Sequence, residues 1–206
     1  MILDFLFPKM CLGCGMSGGY VCEKCFSVIR DDLGGVVNVN NGSLDKVFFC
    51  MRYKKGGLAQ KLIRQFKYKY SKELKALFGQ ILRKKIAKCD LKADYIVPVP
   101  TSIERVNERG FNQSLLLGEE VCPRKVFDCL SREDSHCAQA GLNRYSRVRN
   151  LRGMIKLRKT VCLKGLKILL IDDVATTLST MKECALVIKR AGAEGVCGVV
   201  IARGEC

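Results

Sequence analysis

Apolar residues recur along the chain in two patterns, one typical of amphipathic helices and one typical of buried strands. Spacings of three and four residues predict helices at 58–66, 74–82, 114–121 and 179–191, with a break near Tyr70-Ser71 between the first two. Short apolar runs bounded by turn residues predict strands at 36–39, 47–50, 95–99, 125–130, 154–157, 167–171 and 195–201. Strands that alternate with helices in this way indicate an α/β fold with a mainly parallel sheet.

Two polar stretches interrupt this pattern. Residues 101–113 are polar and contain a glycine, so we expect a loop there. Residues 131–152 have few apolar positions and many arginines, which predicts a long functional or mobile loop. These patterns predict that the chain has three parts: a cysteine-rich module over 1–30, linker strands and basic helices over 31–92, and the main domain over 93–206.

Length and composition narrow the class of protein. The 206 residues are 48% hydrophobic and 27% charged, which indicates a globular chain and argues against disorder. No apolar run approaches the roughly 18 to 20 residues that span a bilayer. The opening MILDFLFPKM lacks a basic segment and a small-residue cleavage site, so we interpret it as mature protein and not as a signal peptide.

Four of the 13 cysteines have a spacing that carries chemistry. CLGC at 11–14 and CEKC at 22–25 are two knuckles that predict a tetrahedral zinc site formed by Cys11, Cys14, Cys22 and Cys25. Four thiolates leave no open coordination position, so the metal is expected to be structural. Four free cysteines in a loop are the alternative. A redox-active CxxC would need a thioredoxin-like setting, which is absent.

Positive charge is concentrated in two blocks of a chain whose net charge is +16. Residues 52–88 hold 13 basic side chains and the single acid Glu73, while 144–159 hold seven basic side chains and no acid. Such blocks indicate a polyanionic partner, although lysine-rich helices also occur as plain solvated faces. Aromatic residues within the first block suit base stacking. The predicted DNA-binding residues are Lys54, Lys55, Lys61, Arg64, Lys67, Tyr68, Lys69, Tyr70, Lys72, Arg144, Arg147 and Arg149.

The stretch ILLIDDVATTLST at 168–180 predicts a ligand site where a strand ends and a helix begins. A phosphate at that helix start would accept backbone N–H bonds and hydroxyl bonds. Asp172 and Asp173 suit the ribose hydroxyls attached to such a phosphate, or the waters of a bound Mg²⁺. Helix capping is the structural alternative, but one aspartate would suffice. A receiver domain also pairs two acids after a strand, but too little chain follows Asp173 to complete one.

This stretch resembles the phosphoribosyl-pyrophosphate (PRPP) loop of type I phosphoribosyltransferases, and the whole chain from about residue 10 resembles the ComF family. The likeness rests on the four cysteines, the basic helical stretch LIRQFKY at 62–68, PVP at 98–100, RGFNQ at 109–113, Gln139 with Arg144, Arg149 and Asn150, and the acid pair. It implies a phosphoribosyltransferase-like domain with an N-terminal zinc module. It also implies a role in natural competence, the import of single-stranded DNA.

The resemblance further implies which residues act. Asp172 and Asp173 would hold the sugar during catalysis, while Arg105 and Arg109 would neutralise the leaving pyrophosphate, with Mg²⁺ bound alongside PRPP. The PRPP-binding set would be Thr101, Asp172, Asp173, Val174, Ala175, Thr176, Thr177, Leu178, Ser179 and Thr180. Leu178 departs from the family, which has glycine there. If that position needs a left-handed backbone, leucine costs about 1 to 2 kcal/mol.

Two functions remain open at this point. The favoured one is a cytoplasmic competence factor that binds single-stranded DNA and has PRPP as a ligand. Such a factor would act in the cytoplasm or at the inner face of the cytoplasmic membrane, with a membrane DNA channel or a DNA helicase as partner. The other is an active phosphoribosyltransferase that transfers ribose 5-phosphate to an unknown acceptor. No acceptor pocket is evident in the sequence. The single histidine, His136, lies in a polar stretch and is interpreted as having no special role.

Overall fold

A computed structural model describes residues 9–31, 34–39, 42–68, 71–133 and 153–204. The strands are β1 (Gly35–Asn38), β2 (Lys46–Tyr53), β3 (Tyr95–Pro98), β4 (Leu130–Arg132), β5 (Ile155–Leu157), β6 (Lys167–Ala175) and β7 (Gly195–Gly204). The helices are α1 (Glu23–Asp31), α2 (Leu58–Tyr68), α3 (Lys72–Lys88), α4 (Ile103–Arg109), α5 (Gln113–Val121) and α6 (Ser179–Arg190), with a 3₁₀ turn at Pro123–Lys125.

Five strands form one sheet in the order β1-β2-β7-β6-β3. The pairs β2–β7, β7–β6 and β6–β3 are parallel, and only β1 is antiparallel to its neighbour. β4 and β5 pair separately in an antiparallel ribbon. The prediction of an α/β fold with a mainly parallel sheet is therefore confirmed. β7 is the central strand, and β6 lies between it and the edge strand β3.

The sheet separates two apolar clusters, and this explains why its inner strands read as continuous apolar runs. One cluster contains α6, including Met181 and Ile188, together with Ile168 and Leu170 of β6. The other contains α2, α3 and α5 against the alternate β6 residues Leu169 and Ile171. Because successive strand residues point to opposite faces, β6 is buried on both sides. The predicted helices α2 and α3 place their apolar faces in this core, as their spacing indicated.

The prediction of a loop over 101–113 is wrong, because residues Ile103–Arg109 form helix α4. The Ser102 hydroxyl accepts a hydrogen bond from Arg105 N, and Gly110 ends the helix at φ 81°. None of the α4 residues is buried. The helix therefore has no apolar stripe, which is the signal that periodicity depends on.

The strand expected to end at Ile171 continues through Asp172 and Asp173 to Ala175. Asp172 and Val174 still pair with Val200 and Ala202 of β7. The acid pair therefore belongs to the strand and not to the turn after it. Carboxylates in a strand break the apolar pattern, so the pattern alone places the strand end too early.

Two smaller expectations also change. The strand predicted at 125–130 is reduced to Leu130 at the start of β4, after a 3₁₀ turn and a single bridge between Val126 and Ile96. The predicted loop at 131–152 begins inside β4, and its residues 134–152, with His136, lie outside the described residues.

β1 and β2, from the predicted linker part, share one sheet with the strands of the main domain. The three-part domain division stays a prediction. Among the described helices, none combines the length and apolar character needed to cross a bilayer.

Candidate functional site

A cleft of about 210 Å³ opens at the carboxyl ends of β3 and β6. Ligands of open parallel sheets commonly bind at this end of the strands. The lining is strongly polar and comes from seven parts of the fold: α2, the loop after β3, α4, the start of α5, β4, β6 with the turn after it, and α6. It comprises Lys67, Val99, Pro100, Thr101, Arg105, Arg109, Asn112, Gln113, Ser114, Arg132, Asp172, Asp173, Val174, Thr176 and Thr180. All four predicted catalytic residues are in this set.

The two aspartates have different partners within the cleft. Asp172 Oδ1 accepts hydrogen bonds from Ser114 Oγ and from the Asp173 backbone N–H, both at 2.8 Å. Asp173, only 7% exposed, pairs its Oδ2 with Lys67 Nζ at 2.9 Å. Its Oδ1 accepts the Val174 N–H at 2.7 Å. Each carboxylate therefore keeps a donor of its own.

Asp172 titrates far from its ordinary range. Burial, reinforced by the negative charge of Asp173, raises the pKa of Asp172 to about 7, while the hydrogen bond from Ser114 acts in the opposite direction. A carboxyl group with this pKa is close to half protonated near neutral pH. A cation bound beside it would favour its charged form and displace the proton.

Lys67 has a different position from the one its sequence neighbours suggest. It was assigned to the DNA-binding block, but its side chain is 25% exposed and its Nζ lies against Asp173. The next residue, Tyr68, is 69% exposed. The last turn of α2 thus lies at the mouth of the cleft, with one side chain inside and the next outside.

The arginines bring positive charge to the same cleft. Arg109 Nη1 donates to Gln113 Oε1 at 3.2 Å, and the Arg109 guanidinium carbon lies 5.8 Å from the centre of the Tyr68 ring. Arg105, on the exposed side of α4, lines the cleft as predicted. Arg132 also lines it, although no pattern in the sequence marks it. An arginine at the end of a short strand has no motif that would have marked it.

Gln113 is another cleft residue that no sequence-based prediction named as a site residue. It is 3% exposed and lines the cleft, and its Nε2 has no hydrogen-bond partner among the described residues. Its Oε1 is already occupied by Arg109, so the amide orientation is set and two N–H donors remain. A buried donor of this kind is costly unless a ligand or water accepts its bonds. Its place in RGFNQ was the available signal.

The predicted PRPP loop is divided between the cleft and the core. Val174, Thr176 and Thr180 line the cleft, as does Thr101 from the loop after β3. Ala175 is buried in the core beneath. The hydroxyls of Thr177 and Ser179 lie 3.0 Å apart and bond to one another.

Leu178 adopts the left-handed conformation that its family position predicted, at φ 60° and ψ 3°. Its side chain is 8% exposed and belongs to the apolar cluster around α6. Burying a leucine side chain contributes about 1.5 to 3 kcal/mol, which offsets a left-handed penalty of about 1 to 2 kcal/mol. The turn therefore keeps its shape without glycine. α6 begins at Ser179 without a side-chain cap, so its first N–H groups are available to an anion.

The four cysteines of the predicted zinc site come together as expected. All four Sγ atoms lie within 4.8 Å of one another, and those of Cys14 and Cys22 are 3.5 Å apart. Zinc–sulfur bonds of about 2.3 Å put tetrahedral sulfurs roughly 3.8 Å apart, so the donor set and its spacing fit zinc. A Cβ on Gly13 would lie 2.7 Å from Cys25 Sγ, which explains the glycine.

The electrostatics of the cluster also call for a cation. Hydrogen bonds from the backbone of Cys14 and Cys22 lower the pKa of Cys11 to about 6. Burial and the hydrogen bonds with the other three cysteines raise the pKa of Cys25 to about 12. Cys11 forms a thiolate readily whereas burial opposes one at Cys25, so a divalent cation would help to hold the thiolates together.

The other described members of the predicted DNA-binding set are exposed, and we call these residues together the basic surface. It consists of the exposed residues Lys54, Lys55, Lys61, Arg64, Tyr68 and Lys72. Lys61 Nζ donates to the backbone oxygen of Leu12 at 3.2 Å, which joins the basic surface to the cysteine module. Lys69, Tyr70, Arg144, Arg147 and Arg149 lie outside the described residues.

Comparison with known proteins gives relatives in sequence and neighbours in structure. No protein-family model matches the chain. It is 31% identical over 146 residues to DNA utilization protein YhgH of Salmonella typhi, covering 66% of this chain and 63% of the relative. It is 30% identical over 144 residues to the protein of that name in Escherichia coli K12, with the same coverage. The matched part of the chain thus spans just under two thirds of the length of these relatives.

Solved structures with similar chain folds include two phosphoribosyltransferases. The hypoxanthine enzyme of Staphylococcus aureus is 12% identical, with a TM-score of 0.39 over 69% of this chain and 74% of that one. The orotate enzyme of Mycobacterium tuberculosis is 15% identical, with a TM-score of 0.37 over 86% of this chain and 91% of that one. An allosteric regulatory enzyme of purine biosynthesis is 12% identical, with a TM-score of 0.42 over 66% of this chain and 29% of that one.

Proposed function

We propose that this chain is a DNA-utilization factor of the ComF type, which binds single-stranded DNA on the basic surface and a phosphoribosyl ligand, PRPP with Mg²⁺, in the cleft. The DNA role is supported by the name of the sequence relatives. The ligand is supported by one observation: an acid pair, several cations and an uncapped helix start meet in a single cleft at the end of two parallel strands. Its place of action would be the cytoplasm, beside the membrane channel or helicase that handles incoming DNA.

The chemistry of the cleft suits each part of this ligand. The N–H groups at the start of α6, with the hydroxyls of Thr176 and Thr180, suit the 5-phosphate. The carboxylates of Asp172 and Asp173 suit the ribose hydroxyls or the waters of Mg²⁺, which when bound neutralises pyrophosphate charge. Arg105 and Arg109 carry the fork of donors that suits pyrophosphate.

The test of ligand binding is calorimetry with PRPP and Mg²⁺. We expect the double variant Asp172→Asn/Asp173→Asn to bind at least tenfold more weakly, because about 1.4 kcal/mol of interaction with hydroxyls or metal is lost. Asp90→Asn is the matched control. Asp90 is an exposed aspartate at the opposite end of the sheet, paired with Lys92. Equal affinity of the double variant and the wild type would contradict the assignment of the cleft.

The test of the DNA surface is the salt dependence of oligonucleotide binding. Each phosphate contact with a single strand adds about 0.7 to the slope of log affinity against log salt. Neutralising Lys54, Arg64 and Lys72 together should reduce that slope by about 2. Neutralising Arg124, Lys164 and Arg190, which are exposed elsewhere, changes the net charge equally and should leave the slope nearly unchanged. Equal slopes for both triple variants would remove the basic surface from the interface.

A second candidate function is phosphoribosyl transfer to an acceptor. Arg105 and Arg109 favour it, because they line the same cleft as the acid pair and could draw off pyrophosphate. The bond from the sugar C1 to pyrophosphate would break, pyrophosphate would leave with the electron pair, and the acceptor would bond to C1. The carboxylates would stabilise the positive charge developing on the sugar. Incubation with labelled PRPP and Mg²⁺, with and without DNA, separates the two: release of pyrophosphate that depends on Asp172 makes the protein an enzyme, and binding without release makes it a carrier or sensor.

Zinc is the metal that we propose for the cysteine cluster. Four thiolates close the coordination sphere, so the ion would serve folding and not catalysis. The cluster sits next to the basic helices, because a Cβ on Gly13 would also contact Leu58 of α2 at 3.2 Å. The zinc module would therefore support the end of α2 that begins the basic surface.

A further inference from the structure

We propose that the cleft holds the 3′-terminal nucleotide of a DNA strand that lies on the basic surface, with its free 3′-hydroxyl on the acid pair and its base beside Tyr68. This inference rests on the proposed function and names a ligand that joins its two halves. The chemistry needed is that of a nucleotide with a 5′-linked phosphate and an unesterified 3′-oxygen. A free mononucleotide shares this chemistry, so the experiments below distinguish it from a strand end.

The acid pair selects a strand terminus over an internal nucleotide. Within a strand the 3′-oxygen carries a phosphate, which two carboxylates would repel, whereas a free hydroxyl donates to them. Asp173 is 7% exposed and already paired with Lys67, and Asp172 accepts from Ser114. Neither carboxylate can turn away from a neighbouring phosphate without breaking these bonds.

The opposite side of the cleft suits a phosphate in either a monoester or a diester. Thr176 and Thr180 line it next to the uncapped start of α6, a helix of 12 residues. Gln113 provides the independent sign that a ligand belongs here, because its buried Nε2 has no partner among the described residues. Its N–H donors suit a phosphate or a base carbonyl and not another cation.

The size of the cleft and its surroundings limit how much of a strand can enter. At about 210 Å³ the cleft is small, since ligand pockets commonly measure roughly 300 to 1,000 Å³. It therefore takes one sugar-phosphate unit and not a run of strand. The rest of the strand has a basic track to follow, because α2 carries Lys61 and Arg64 on its exposed side and ends at Tyr68.

Tyr68 and Arg109 form a platform for the terminal base. Tyr68 is 69% exposed, and the Arg109 guanidinium carbon lies 5.8 Å from the centre of its ring. Arg109 also lines the cleft and bonds to Gln113, so the platform and the sugar site share one residue. Base stacking on an aromatic side chain contributes about 1 to 3 kcal/mol in single-strand binders.

The central experiment compares two oligothymidines of equal length and sequence, one ending in a 3′-hydroxyl and one in a 3′-phosphate. We expect the 3′-hydroxyl strand to bind about tenfold more tightly, because it gains hydrogen bonds to charged groups and avoids repulsion. The double variant Asp172→Asn/Asp173→Asn should lose this preference. Adding or removing a 5′-phosphate is the matched control and should change little. Equal affinity for the two 3′ ends in the wild type overturns the inference.

The platform has its own test with a strand whose last nucleotide is abasic. In the wild type the terminal base should improve affinity about fivefold or more, and Tyr68→Leu should abolish that gain. Tyr95→Leu, which changes a partly exposed tyrosine at the opposite end of the sheet, is the control and should keep the gain. A gain that survives Tyr68→Leu unchanged overturns the role of the platform.

Competition separates this inference from the proposed function. PRPP should abolish the tenfold advantage of the 3′-hydroxyl strand while leaving the weaker binding of the 3′-phosphate strand. If calorimetry shows PRPP binding but the two strand ends bind equally, the proposed function stands and the inference fails. If PRPP does not bind but the preference for the 3′-hydroxyl is present, the proposed PRPP ligand is wrong and the inference about the strand end stands. Displacement by thymidine monophosphate with no preference between strand ends assigns the cleft to free nucleotides and overturns the inference.

Discussion

The cysteine cluster and the cleft both bring together groups that repel one another, but they assemble them over very different spans of sequence. Four cysteine sulfurs within 4.8 Å come from residues 11–25. The lining of the cleft comes from residues between Lys67 and Thr180. The cluster depends on local spacing that a pair of turns can satisfy. The cleft depends on which strands are neighbours in the sheet.

The two regions also differ in how their negative charge is balanced. Zinc would hold all four thiolates in a closed set that has one stable arrangement. In the cleft, Lys67 and Ser114 each serve one carboxylate, and the pKa of Asp172 is raised to about 7 by burial. We therefore expect a permanent ion in the cluster and an exchanging ligand in the cleft.

The largest expected effect comes from breaking the cysteine cluster. We expect Cys25→Ser or chelation to remove one zinc per chain and to unfold residues 9–31, since structural zinc contributes about 10 to 16 kcal/mol to such modules. Metal analysis and hydrogen exchange measure the two effects. Cys162→Ser, which changes an exposed cysteine outside the cluster, should keep the zinc. A metal-free protein with a folded module would contradict the prediction.

The next effect concerns the turn that shapes the phosphate end of the cleft. Leu178→Ala should lower the free energy of unfolding by about 2 to 4 kcal/mol, because a buried side chain is lost while the left-handed backbone remains. Leu178→Gly loses the same contacts but adopts φ 60° freely, so we expect it to be about 1 kcal/mol more stable than the alanine variant. Urea denaturation measures both variants. An alanine variant at least as stable as the glycine variant would mean that the backbone there is not strained.

A smaller effect is expected from the charge of Asp172. Its pKa is raised from about 3.9 in the unfolded chain to about 7 in the folded one, so the native state binds more protons between these values. The stabilising effect of this group is therefore largest below about pH 4 and is lost as the pH rises towards about 7. Asp172→Asn carries no such charge and should be about 1 to 2 kcal/mol more stable than the wild type near pH 8, with the difference vanishing near pH 4. Thermal unfolding of both proteins across this pH range tests the prediction. A difference in stability that is the same at every pH would contradict the raised pKa of Asp172.

The smallest effect sharpens the contrast between the two carboxylates. Ser114→Ala removes the hydroxyl donor that favours the charged form of Asp172, so its pKa should rise further. Carboxyl NMR titration measures the shift directly. Ser131→Ala, whose hydroxyl bonds to the Lys156 oxygen in the antiparallel ribbon, is the control and should leave the titration unchanged. An unchanged pKa in the Ser114 variant would show that this hydrogen bond contributes little.

Much of the fold was predictable because apolar spacing reports on burial directly. α2 and α3 appear at the predicted positions, with Leu62, Phe66, Leu74 and Phe78 in the core. α4 was missed because it buries none of its residues. The extension of β6 through the acid pair was missed for the related reason that charged residues hide a strand from a pattern of apolar positions.

The candidate site was predictable only where a motif contained its residues. The acid pair, Arg105 and Arg109 line the cleft as expected, and RGFNQ contained Gln113 without marking it as a donor. Arg132 had no motif at all. Lys67 was predicted to bind DNA because its neighbours are basic. The direction of its side chain is decided by packing and not by local composition.

The amino-acid sequence by itself determined the cysteine cluster, the amphipathic helices and the apolar strands, because each depends on spacings of a few residues that the backbone geometry converts into a shared face or a shared turn. Only the tertiary structure decided that Lys67 pairs with Asp173, that the buried amide nitrogen of Gln113 has no partner among the described residues, and that Tyr68 contacts Arg109 beside the cleft. These contacts join residues distant in the chain, and their geometry follows from the order of strands in the sheet and from the packing of α2, α4 and α5 around its carboxyl end.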